Sequence, residues 1–316
     1  MSISLPDAVD ILRAAGEPSR LRIVALLARE ELAVMELCQI MDQSQPRVSR
    51  HLRLLTASGL VERFPDGGWV FYRLAADPAR RAIVDRVLSV VDAHDAHLAR
   101  DRDRLAAVRA ERSATAEAYF ARNAPRWDQL RSLHVSEADV EDAVMAAAPE
   151  GPIGRLIDLG TGSGRMLILL APRAERALGL DLSQQMLNIA RLRVAEAGLD
   201  HCELRHGDIF SPGLPAGSTD LVVVHQVLHF LGDPAAAVAA AGRLVAPGGR
   251  LLIVDFAPHT LENLREAHQH RRLGFPDDEM TRWLVGAGLT RPKTTTLAAR
   301  NGEGLTVKIW AADRKA

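Results

Sequence analysis

The chain has 316 residues, of which 47% are hydrophobic and 25% are charged, and its formal net charge is −1. This composition excludes a collagen-like or disordered chain, and the length favours two domains over one. Because no stretch approaches the roughly 18 apolar residues of a membrane span, and the first residues lack the basic and apolar regions of a signal peptide, we expect a cytoplasmic protein with no membrane partner.

The amino-terminal part of the chain contains three helical patterns. Apolar side chains predict one helix that opens at Pro18 and a second helix over residues 31–41. A third follows Ser44, a residue type that caps helices, and has Pro46 in its first turn. The apolar residues of this third helix share one face, so its polar and basic residues are left on the outward face.

A hairpin pattern follows these helices. Residues 61–63 and 69–74 are predicted strands, joined through the turn sequence Pro65-Asp66-Gly67-Gly68. Helices separated by a short turn and followed by a β-hairpin are typical of a winged helix-turn-helix, whose second helix enters the major groove of DNA. Residues 43–75 carry five arginines against two acids, a local charge of +3 that the whole-chain value conceals. A cationic face at this place fits a nucleic-acid partner.

Residues 43–74, QSQPRVSRHLRLLTASGLVERFPDGGWVFYRL, resemble the DNA-binding core of ArsR/SmtB-type bacterial repressors. The resemblance implies a homodimer that reads an inverted repeat in double-stranded operator DNA. It also implies the following DNA-facing positions: Gln45, Arg47, Ser49, Arg50, His51, Arg53, Arg63 and Arg73. We therefore assign residues 1–76 to a winged helix-turn-helix DNA-binding domain.

The chain departs from the metal-sensing members of that family. Those members carry two cysteines in a Glu-Leu-Cys-Val-Cys-Asp-Leu segment, and the matching run here is Glu-Leu-Ala-Val-Met-Glu-Leu, with Ala33 and Met35 at the thiolate positions. Cys38, beside this segment, is a lone thiol that cannot build a soft-metal site. The only other cysteine is Cys202, so the thiols are also too few for a disulfide framework. We predict no metal site.

Residues 77–118 are predicted to form a helical linker and a dimerisation helix. Four apolar residues recur every seven positions, the spacing of a coiled-coil seam: Val84, Val91, Leu98 and Leu105. Four potential metal ligands share the segment: Asp92, His94, Asp95 and His97. The later His/Glu pair of the family's carboxy-terminal metal site is missing, since Leu105 and Val108 stand there. Dimerisation is therefore the favoured role of this segment.

From residue 155 onward, short β-rich runs alternate with helical patterns, which predicts a sheet built from βαβ units. A strand over residues 155–159 runs into Gly160-Thr161-Gly162-Ser163-Gly164, followed by a helix from Met166. Glycines at such a turn let a ligand approach the backbone closely. A dinucleotide fingerprint requires a small residue at the position of Arg165. The spacing therefore favours a nucleoside with an amino-acid tail over a pyrophosphate cofactor.

Further strands are predicted over residues 177–180, 204–206, 221–224 and 251–254, with a closing antiparallel pair over 293–297 and 305–311. The first of these ends in Asp181, about twenty residues past the glycine run, where an acid accepts hydrogen bonds from ribose hydroxyls. The others end in Gly207-Asp208-Ile209, in His225 and in Asp255.

This series resembles class I S-adenosylmethionine-dependent methyltransferases, which implies a Rossmann-like seven-stranded domain over residues 119–316. The whole chain is then an α/β protein with an N-terminal winged helix-turn-helix domain. The implied cofactor is S-adenosylmethionine or S-adenosylhomocysteine. The implied cofactor-binding residues are Asp158, Gly160, Thr161, Gly162, Gly164, Asp181, Leu182, Gly207, Asp208, Ile209 and His225.

Candidate catalytic residues must lie at the carboxyl ends of the strands, where open α/β sheets bind ligands. Four residues qualify: His225, His229, Asp255 and His259. His268 and His270 are expected on one helix, and residues two apart on a helix cannot face the same ligand. Tyr119 and Trp127 are candidates to close over the cofactor. No Asn-Pro-Pro-Tyr-type motif of base methylation follows the fourth strand, so nucleic acid is not the expected methyl acceptor.

Two functions follow from these resemblances. In the first, the protein is a DNA-binding regulator whose methyltransferase-like domain binds S-adenosylmethionine or S-adenosylhomocysteine and couples this binding to operator affinity. In the second, it is an active small-molecule methyltransferase with an appended DNA-binding domain. The residues favour the first function and leave open the methyl acceptor, the choice between the two nucleosides as effector, and the operator sequence.

Overall fold

The computed structural model describes residues 3–66, 69–75, 77–92, 94–123, 136–298 and 304–316. The chain divides into two compact units, Met1–Ala114 and Thr115–Ala316. Within the described ranges, no helix combines the length and the apolar character that crossing a membrane requires.

The first unit is a winged helix-turn-helix domain. Its helices are α1 (Leu5–Ala15), α2 (Pro18–Leu27), α3 (Val34–Met41) and α4 (Gln45–Ala57), and its strands are β1 (Leu32–Ala33), β2 (Val61–Asp66) and β3 (Trp69–Leu74). The strands form an antiparallel sheet in the order β1-β3-β2. Helix α4 begins after Ser44 as predicted, and its Val48, Leu52 and Leu55 are fully buried. The predicted fold class of this domain is confirmed.

The second predicted helix starts three residues late. Leu32 and Ala33 pair with Tyr72 and Phe71 of β3, so residues 32–33 extend the wing sheet. The carboxylate of Glu36 then accepts the backbone N–H of Ala33 at 2.8 Å, which caps α3 at its true start. Sheet pairing with a distant strand therefore overrides the local helical pattern.

The segment after the wing forms two helices, α5 (Pro78–Ser89) and α6 (Ala96–Asn123). The prediction of one continuous seven-residue seam is wrong, because Val91 lies in the break between them. The carboxylate of Asp95 accepts the backbone N–H groups of His97 and Leu98, which begins a new helix. Val84 and Leu105 pack instead into the core of the first unit.

Ion pairs attach the first half of α6 to the rest of the first unit. Arg22 donates to both carboxylate oxygens of Asp101, at 2.7 and 2.6 Å, and this pairing raises the pKa of the guanidinium. Glu30, which is almost fully buried, accepts from Arg109 and Arg112 at 3.1 and 3.3 Å. Removing one partner of a buried pair leaves an uncompensated charge, so these contacts hold α6 on this unit.

The second unit contains a seven-stranded sheet in the order β6-β5-β4-β7-β8-β10-β9. The strands are β4 (Ile153–Leu159), β5 (Ala174–Asp181), β6 (Cys202–His206), β7 (Thr219–His225), β8 (Val245–Phe256), β9 (Lys293–Leu297) and β10 (Val307–Asp313). The strands from β4 to β8 are mutually parallel, and β10 runs antiparallel to β8 and β9. The Rossmann-like prediction is confirmed. Residues 301–303 of the expected final turn lie outside the described residues.

Helices cover both faces of this sheet: α7 (Glu137–Ala147), α8 (Arg165–Leu170), α9 (Gln184–Glu196), α10 (Pro234–Leu244), α11 (Asn263–His268) and α12 (Asp277–Gly286). Alternate strand residues belong to two separate cores, as Leu156 and Ile157 of β4 show. The chain passes from β4 outward through β5 and β6, then returns to β7 on the other side of β4. This reversal marks the edge at which open α/β sheets bind ligands.

Candidate functional site

Most of the candidate DNA-binding side chains point away from the core. Val48, Leu52 and Leu55 take the inward face of α4, so the polar positions between them turn outward. Five candidates are exposed and one is half-buried: Gln45, Arg47, Arg50, Arg53 and Arg63, with Ser49 partly covered. Four outward guanidinium groups on α4 and β2 make a cationic face suited to phosphate and base contacts.

His51 does not join that face. Its Nδ1 lies 3.5 Å from the Glu17 carboxylate, at the start of α2, and its side chain is only 13% exposed. Burial lowers the pKa of His51; Glu17 acts against this shift, while Arg47 and Arg50 add to it. The imidazole is therefore neutral at pH 7 and contributes to packing between α4 and α2.

Arg73 is also engaged within its own unit. Its guanidinium donates to Glu62 at 2.9 Å and to Glu31 at 3.3 Å, and it lies 4.8 Å above the ring of Phe64. These contacts connect β3 to β2 and to the residue before β1. The structure thus separates Arg73 from the outward cationic face.

The glycine run forms a tight loop between β4 and α8. Gly160, Gly162 and Gly164 have φ angles of +74°, +52° and +82°, a region that side chains with a Cβ seldom adopt. The backbone N–H groups of Gly160 and Thr161 both donate to the carbonyl of Leu180, at 2.8 and 2.9 Å. A Cβ at Gly160 would lie 2.4 Å from Cγ2 of Val227. The loop is therefore fixed by β5 and closely covered from the β7 side.

The side chain of Asp158 stabilises the glycine loop through a hydrogen bond. It is 1% exposed at the end of β4, and Thr161 donates its hydroxyl to Oδ2 at 2.6 Å. The side chain therefore holds the glycine loop in its observed conformation.

Asp181 stands at the end of β5 and faces the same loop. Its carboxylate accepts the backbone N–H groups of Gly162 at 2.7 Å and Ser183 at 2.8 Å. Burial raises the pKa of this carboxyl, opposed by those two N–H groups and by His206. Leu182, next in the chain, is 48% exposed and offers an apolar surface beside the carboxylate.

The Gly207-Asp208-Ile209 segment follows β6 at the same edge of the sheet. Gly207 donates its N–H to the carbonyl of Asp181 at 3.0 Å, and the carboxylate of Asp208 accepts the N–H of Phe210 at 3.0 Å. Ile209 is buried. A glycine cradle, two carboxylates and an apolar side chain fit a nucleoside with hydrogen-bonding hydroxyls and an amino-acid tail.

On the other side of the glycine loop, His225 ends β7 and is 9% exposed. The next residue, Gln226, has φ +52° and donates its N–H to Val254 of β8 at 2.7 Å. A left-handed conformation in a residue with a side chain costs free energy and is concentrated at functional sites. The turn that follows β7 is thereby directed over the loop.

The structure brings together two of the four candidate catalytic residues. Nδ1 of His229, in the 3-10 turn Leu228–Phe230, lies 2.8 Å from Oδ1 of Asp255, and both side chains are almost fully buried. The same Oδ1 accepts the N–H of Phe256 at 2.8 Å, whereas Oδ2 is buried with no hydrogen-bond partner among the described residues. His259 stands near this pair, with its ring 6.1 Å from that of Phe256.

The expectation that His268 and His270 share a helix and diverge is wrong. Helix α11 ends at His268, and Gln269 takes a left-handed conformation with φ +59°, so the chain turns back. The ring of His270 then lies 4.2 Å from that of His229 and 6.5 Å from that of His268. The carbonyl of His229 accepts the N–H groups of Arg271 and Arg272, which holds this turn in place.

These rings belong to a larger group, which we call the ring cluster: Tyr119, His229, Phe230, Phe256, His268 and His270. The Tyr119 hydroxyl and Nδ1 of His268 are 2.7 Å apart. The ring of His229 lies 4.0 Å from that of Phe230 and 5.0 Å from that of Phe256. Sequence reasoning identified most of these residues singly but not their association. Trp127 lies outside the described residues.

Comparison with protein families matches each unit separately. Residues 17–63 match the bacterial regulatory protein, arsR family, and residues 157–253 match a methyltransferase domain. The first match contains α4 and the start of the wing, and the second runs from β4 into β8. The chain therefore carries an ArsR-family helix-turn-helix domain and a methyltransferase domain.

Individual relatives also match one unit each. The arsenical resistance operon repressor of Escherichia coli K12 is 46% identical over 76 residues, which are 24% of this chain and 63% of the repressor. The demethylmenaquinone methyltransferase of Thermus thermophilus is 32% identical over 147 residues, which are 44% of this chain and 64% of that enzyme. The chain thus spans less than two thirds of the length of either relative.

Solved structures match the second unit in fold. A SAM-dependent methyltransferase of Thermotoga maritima superposes with a TM-score of 0.51 at 21% identity, covering 62% of this chain and 99% of that chain. The YcgJ protein of Bacillus subtilis gives a TM-score of 0.50 at 17% identity, covering 57% and 100%. At these identities the likeness concerns the fold alone.

Proposed function

We propose that this chain, which joins an ArsR-family helix-turn-helix domain to a methyltransferase domain, is a DNA-binding regulator controlled by S-adenosylmethionine or S-adenosylhomocysteine. The nucleoside binds at the glycine loop, Asp181 and Asp208, and its binding alters operator affinity. In this role the protein acts as a homodimer on an inverted repeat, as expected for a winged helix-turn-helix reader.

Helix α6 is the observation that carries this proposal. It runs from Ala96 to Asn123 and so contributes residues to both units. The part of the helix up to Arg112 is ion-paired within the DNA-binding unit through Asp101 and Arg112. Near its end, Tyr119 is hydrogen-bonded to His268 of the ring cluster in the methyltransferase unit. The residues of this one helix thus fall in both units.

Coupling of this kind has a thermodynamic requirement. A nucleoside changes DNA affinity only by the difference in its affinity for the DNA-bound and free conformations. Typical coupling free energies of about 1–3 kcal/mol correspond to about 5- to 150-fold. Linkage also requires that operator DNA change the affinity for the nucleoside by the same factor.

The test is operator binding by the full chain with and without the nucleoside. A duplex enriched from a randomised library by the protein itself is titrated by fluorescence anisotropy at fixed salt. We expect saturating S-adenosylmethionine or S-adenosylhomocysteine to change the Kd at least about 5-fold. An unchanged Kd with both nucleosides, under conditions where calorimetry shows them bound, contradicts the proposal.

Two variants test whether DNA binding depends on the cationic face of α4. Arg50→Ala removes an exposed cation of α4 and should weaken DNA binding and reduce its salt dependence, while nucleoside affinity is unchanged. Arg191→Ala, an exposed cation on α9, is the matched control and should leave DNA binding unchanged. Loss of affinity with both variants alike would show that general charge, rather than the α4 face, binds the duplex.

The buried pair of His229 and Asp255 favours a second function, methyl transfer from S-adenosylmethionine to a small molecule. A carboxylate-oriented imidazole at the ligand-binding edge is suited to remove a proton from an acceptor. Release of S-adenosylhomocysteine from the full chain, measured by mass spectrometry, tests this function. The two functions are compatible, because turnover changes which nucleoside occupies the site.

A further inference from the structure

We propose that the ring cluster is the acceptor site and takes a small phenol, with His229 removing the phenolic proton. The proposal rests on the second function above, methyl transfer from S-adenosylmethionine, and adds to it the substrate class and the base. Asp255 acts through His229 as a positioning residue.

The ring cluster brings several aromatic residues together in a chain that contains few of them. Phe, Trp and Tyr make up only 4% of the residues, yet Tyr119, Phe230 and Phe256 meet here among three imidazoles. The rings of Phe256 and His270 are stacked at 5.8 Å with an interplanar angle of 16°. Flat apolar walls of this kind bind planar aromatic ligands through offset and edge-to-face contacts.

The cluster has a closed side and an accessible side. Tyr119, Phe256 and His229 are at most 5% exposed, whereas Phe230 and His268 are only half-buried. In the proposal a ligand enters past Phe230 and His268, which are the more exposed of these five residues. Metal binding does not explain the histidines, because no group of three or more metal-ligating side chains is found in the described part of the chain.

Hydrogen bonding determines which nitrogen of His229 is the base. Oδ1 of Asp255 already accepts the backbone N–H of Phe256, so toward His229 it also acts as an acceptor. Nδ1 therefore carries the hydrogen of this bond, and Nε2 is left with the lone pair. The neutral imidazole is thus held in the tautomer that accepts a proton at Nε2.

Asp255 also stabilises the charge that proton transfer creates. Its side chain is fully buried, and Oδ2 is without a hydrogen-bond partner among the described residues. A carboxylate that lacks water and one of its hydrogen bonds has incompletely balanced negative charge. An adjacent imidazolium compensates that charge, so the pair is suited to hold a proton on His229 during the reaction.

The glycine loop places the donor site next to this base. Val227, two residues before His229, lies so close to Gly160 that a Cβ there would be 2.4 Å from it. The backbone of Gln226, in a left-handed conformation, directs the same turn. The segment that carries His229 therefore covers the glycine loop, which contains proposed cofactor-binding residues.

The chemistry selects a phenolic hydroxyl. A phenol has a pKa of about 10, which an imidazole can deprotonate as the reaction proceeds, whereas an aliphatic alcohol near the value for water, about 15.7, is too weak an acid. An alkyl amine, with a pKa of about 10.4, is a cation in water, and transferring that charge among the buried rings costs desolvation free energy. In the step, the O–H proton passes to Nε2 while the oxygen forms a bond to the methyl carbon. The S–CH₃ bond breaks, and its electrons remain on sulfur as the neutral thioether.

The experiment uses the full chain with S-adenosylmethionine and three matched acceptors: 4-methylphenol, 4-methylbenzylamine and 4-methylbenzyl alcohol. Product is identified by mass spectrometry as the methyl ether or methylamine, and cofactor affinity is measured separately by calorimetry. We expect turnover of the phenol alone. Methylation of the benzylamine or the benzyl alcohol in preference to the phenol overturns the substrate class.

Variants test the assigned roles. His229→Gln should lower kcat about 100- to 10,000-fold while cofactor affinity is retained, as for loss of a general base. Asp255→Asn should lower kcat and leave KM and cofactor affinity unchanged, because an amide in place of the carboxylate no longer fixes the hydrogen on Nδ1 of His229. His201→Gln is the control, since this histidine bonds to the carbonyl of Ala171 and lies outside the ring cluster.

Failure of the acceptor proposal can be distinguished from failure of the proposed regulation by the nucleoside. If the cofactor binds and affects DNA affinity but no phenol is methylated, the acceptor proposal is wrong and regulation by the nucleoside stands. If His229→Gln retains full turnover, or Asp255→Asn leaves kcat unchanged, the assigned base is wrong. If calorimetry detects no cofactor binding, both proposals fail.

Discussion

The two halves of the ligand-binding edge of the second sheet are built in different ways. The half formed by β4, β5 and the residues after β6 consists of a glycine loop and short acidic side chains bound to backbone N–H groups. The half formed by the ends of β7 and β8, α11 and the end of α6 consists of aromatic and imidazole rings in contact with one another.

The two halves differ in how far apart in the chain their residues lie. In the first half, each strand end supplies its own loop, and the functional residues lie between 158 and 209. In the second half, the contacting rings come from residues 119 to 270, so their association depends on how separate segments pack. The first half is therefore built from local segments, and the second half from contacts between distant ones.

Gly160 of the first half lies against Val227 of the second half. A substitution at this contact should have the largest effect on cofactor affinity. Gly160→Ala adds a methyl 2.4 Å from Val227 and places a Cβ at φ +74°. Overpacking and left-handed strain together cost about 2–4 kcal/mol, so the Kd for S-adenosylmethionine should rise about 30- to 1000-fold by calorimetry. Gly213→Ala has a similar φ, +66°, but nothing within 4 Å of its Cβ, and should leave the Kd unchanged. Equal losses in both variants would remove any special role for the Gly160–Val227 contact.

In the first half, Asp181→Ala should weaken both nucleosides equally, since the ribose is common to them. Loss of hydrogen bonds to a charged group costs about 1.5–3 kcal/mol, which is about 10- to 150-fold in Kd. Asp200→Ala, an exposed acid in the same unit, is the control for net charge. A loss confined to S-adenosylmethionine would instead place Asp181 near the sulfonium.

The raised pKa of Asp181 predicts that nucleoside binding depends on pH. Burial raises the pKa of this carboxyl, and the ionised form accepts the ribose hydroxyls more strongly than the protonated form does. Affinity for S-adenosylhomocysteine should therefore fall a few-fold as the pH is lowered, beginning above the pH at which an ordinary aspartate titrates. Asp181→Asn should abolish this dependence, and His206→Gln removes the neighbouring imidazole as a source of it. A pH dependence that survives Asp181→Asn assigns the titration elsewhere.

In the second half, Tyr119→Phe removes one hydrogen bond to His268 and should have the smallest effect. Loss of about 1 kcal/mol lowers the melting temperature of the second unit by about 2–4 °C, while the Kd for S-adenosylmethionine is unchanged. Tyr72→Phe, at the other tyrosine of the chain, should affect only the first unit. A large loss of cofactor affinity in Tyr119→Phe would show that the halves are not independent.

The parts of the fold that sequence reasoning predicted correctly are those with local causes. The start of α4 follows from Ser44 and Pro46, and the glycine loop follows from residues that tolerate a positive φ. The parallel strands were predicted from short apolar runs, although their ends were placed up to six residues short, as for β8.

The errors arose where distant contacts or chain reversals decide the conformation. Pairing with β3 converted residues 32–33 from helix to strand. The side chain of Asp95 starts a new helix where an apolar seven-residue repeat predicted continuity. His51 and Arg73 resembled DNA-facing residues in sequence, but nearby glutamates engage both of them within the first unit.

The amino-acid sequence by itself determined the two domain types, and it predicted the residues that we propose bind the nucleoside. It could do so because turns, caps and strand patterns depend on neighbours within a few positions. Only the tertiary structure decided that His229 meets Asp255 and that His270 folds back onto His229. Those contacts depend on the packing of segments far apart in the chain, and no local pattern encodes the distance between them.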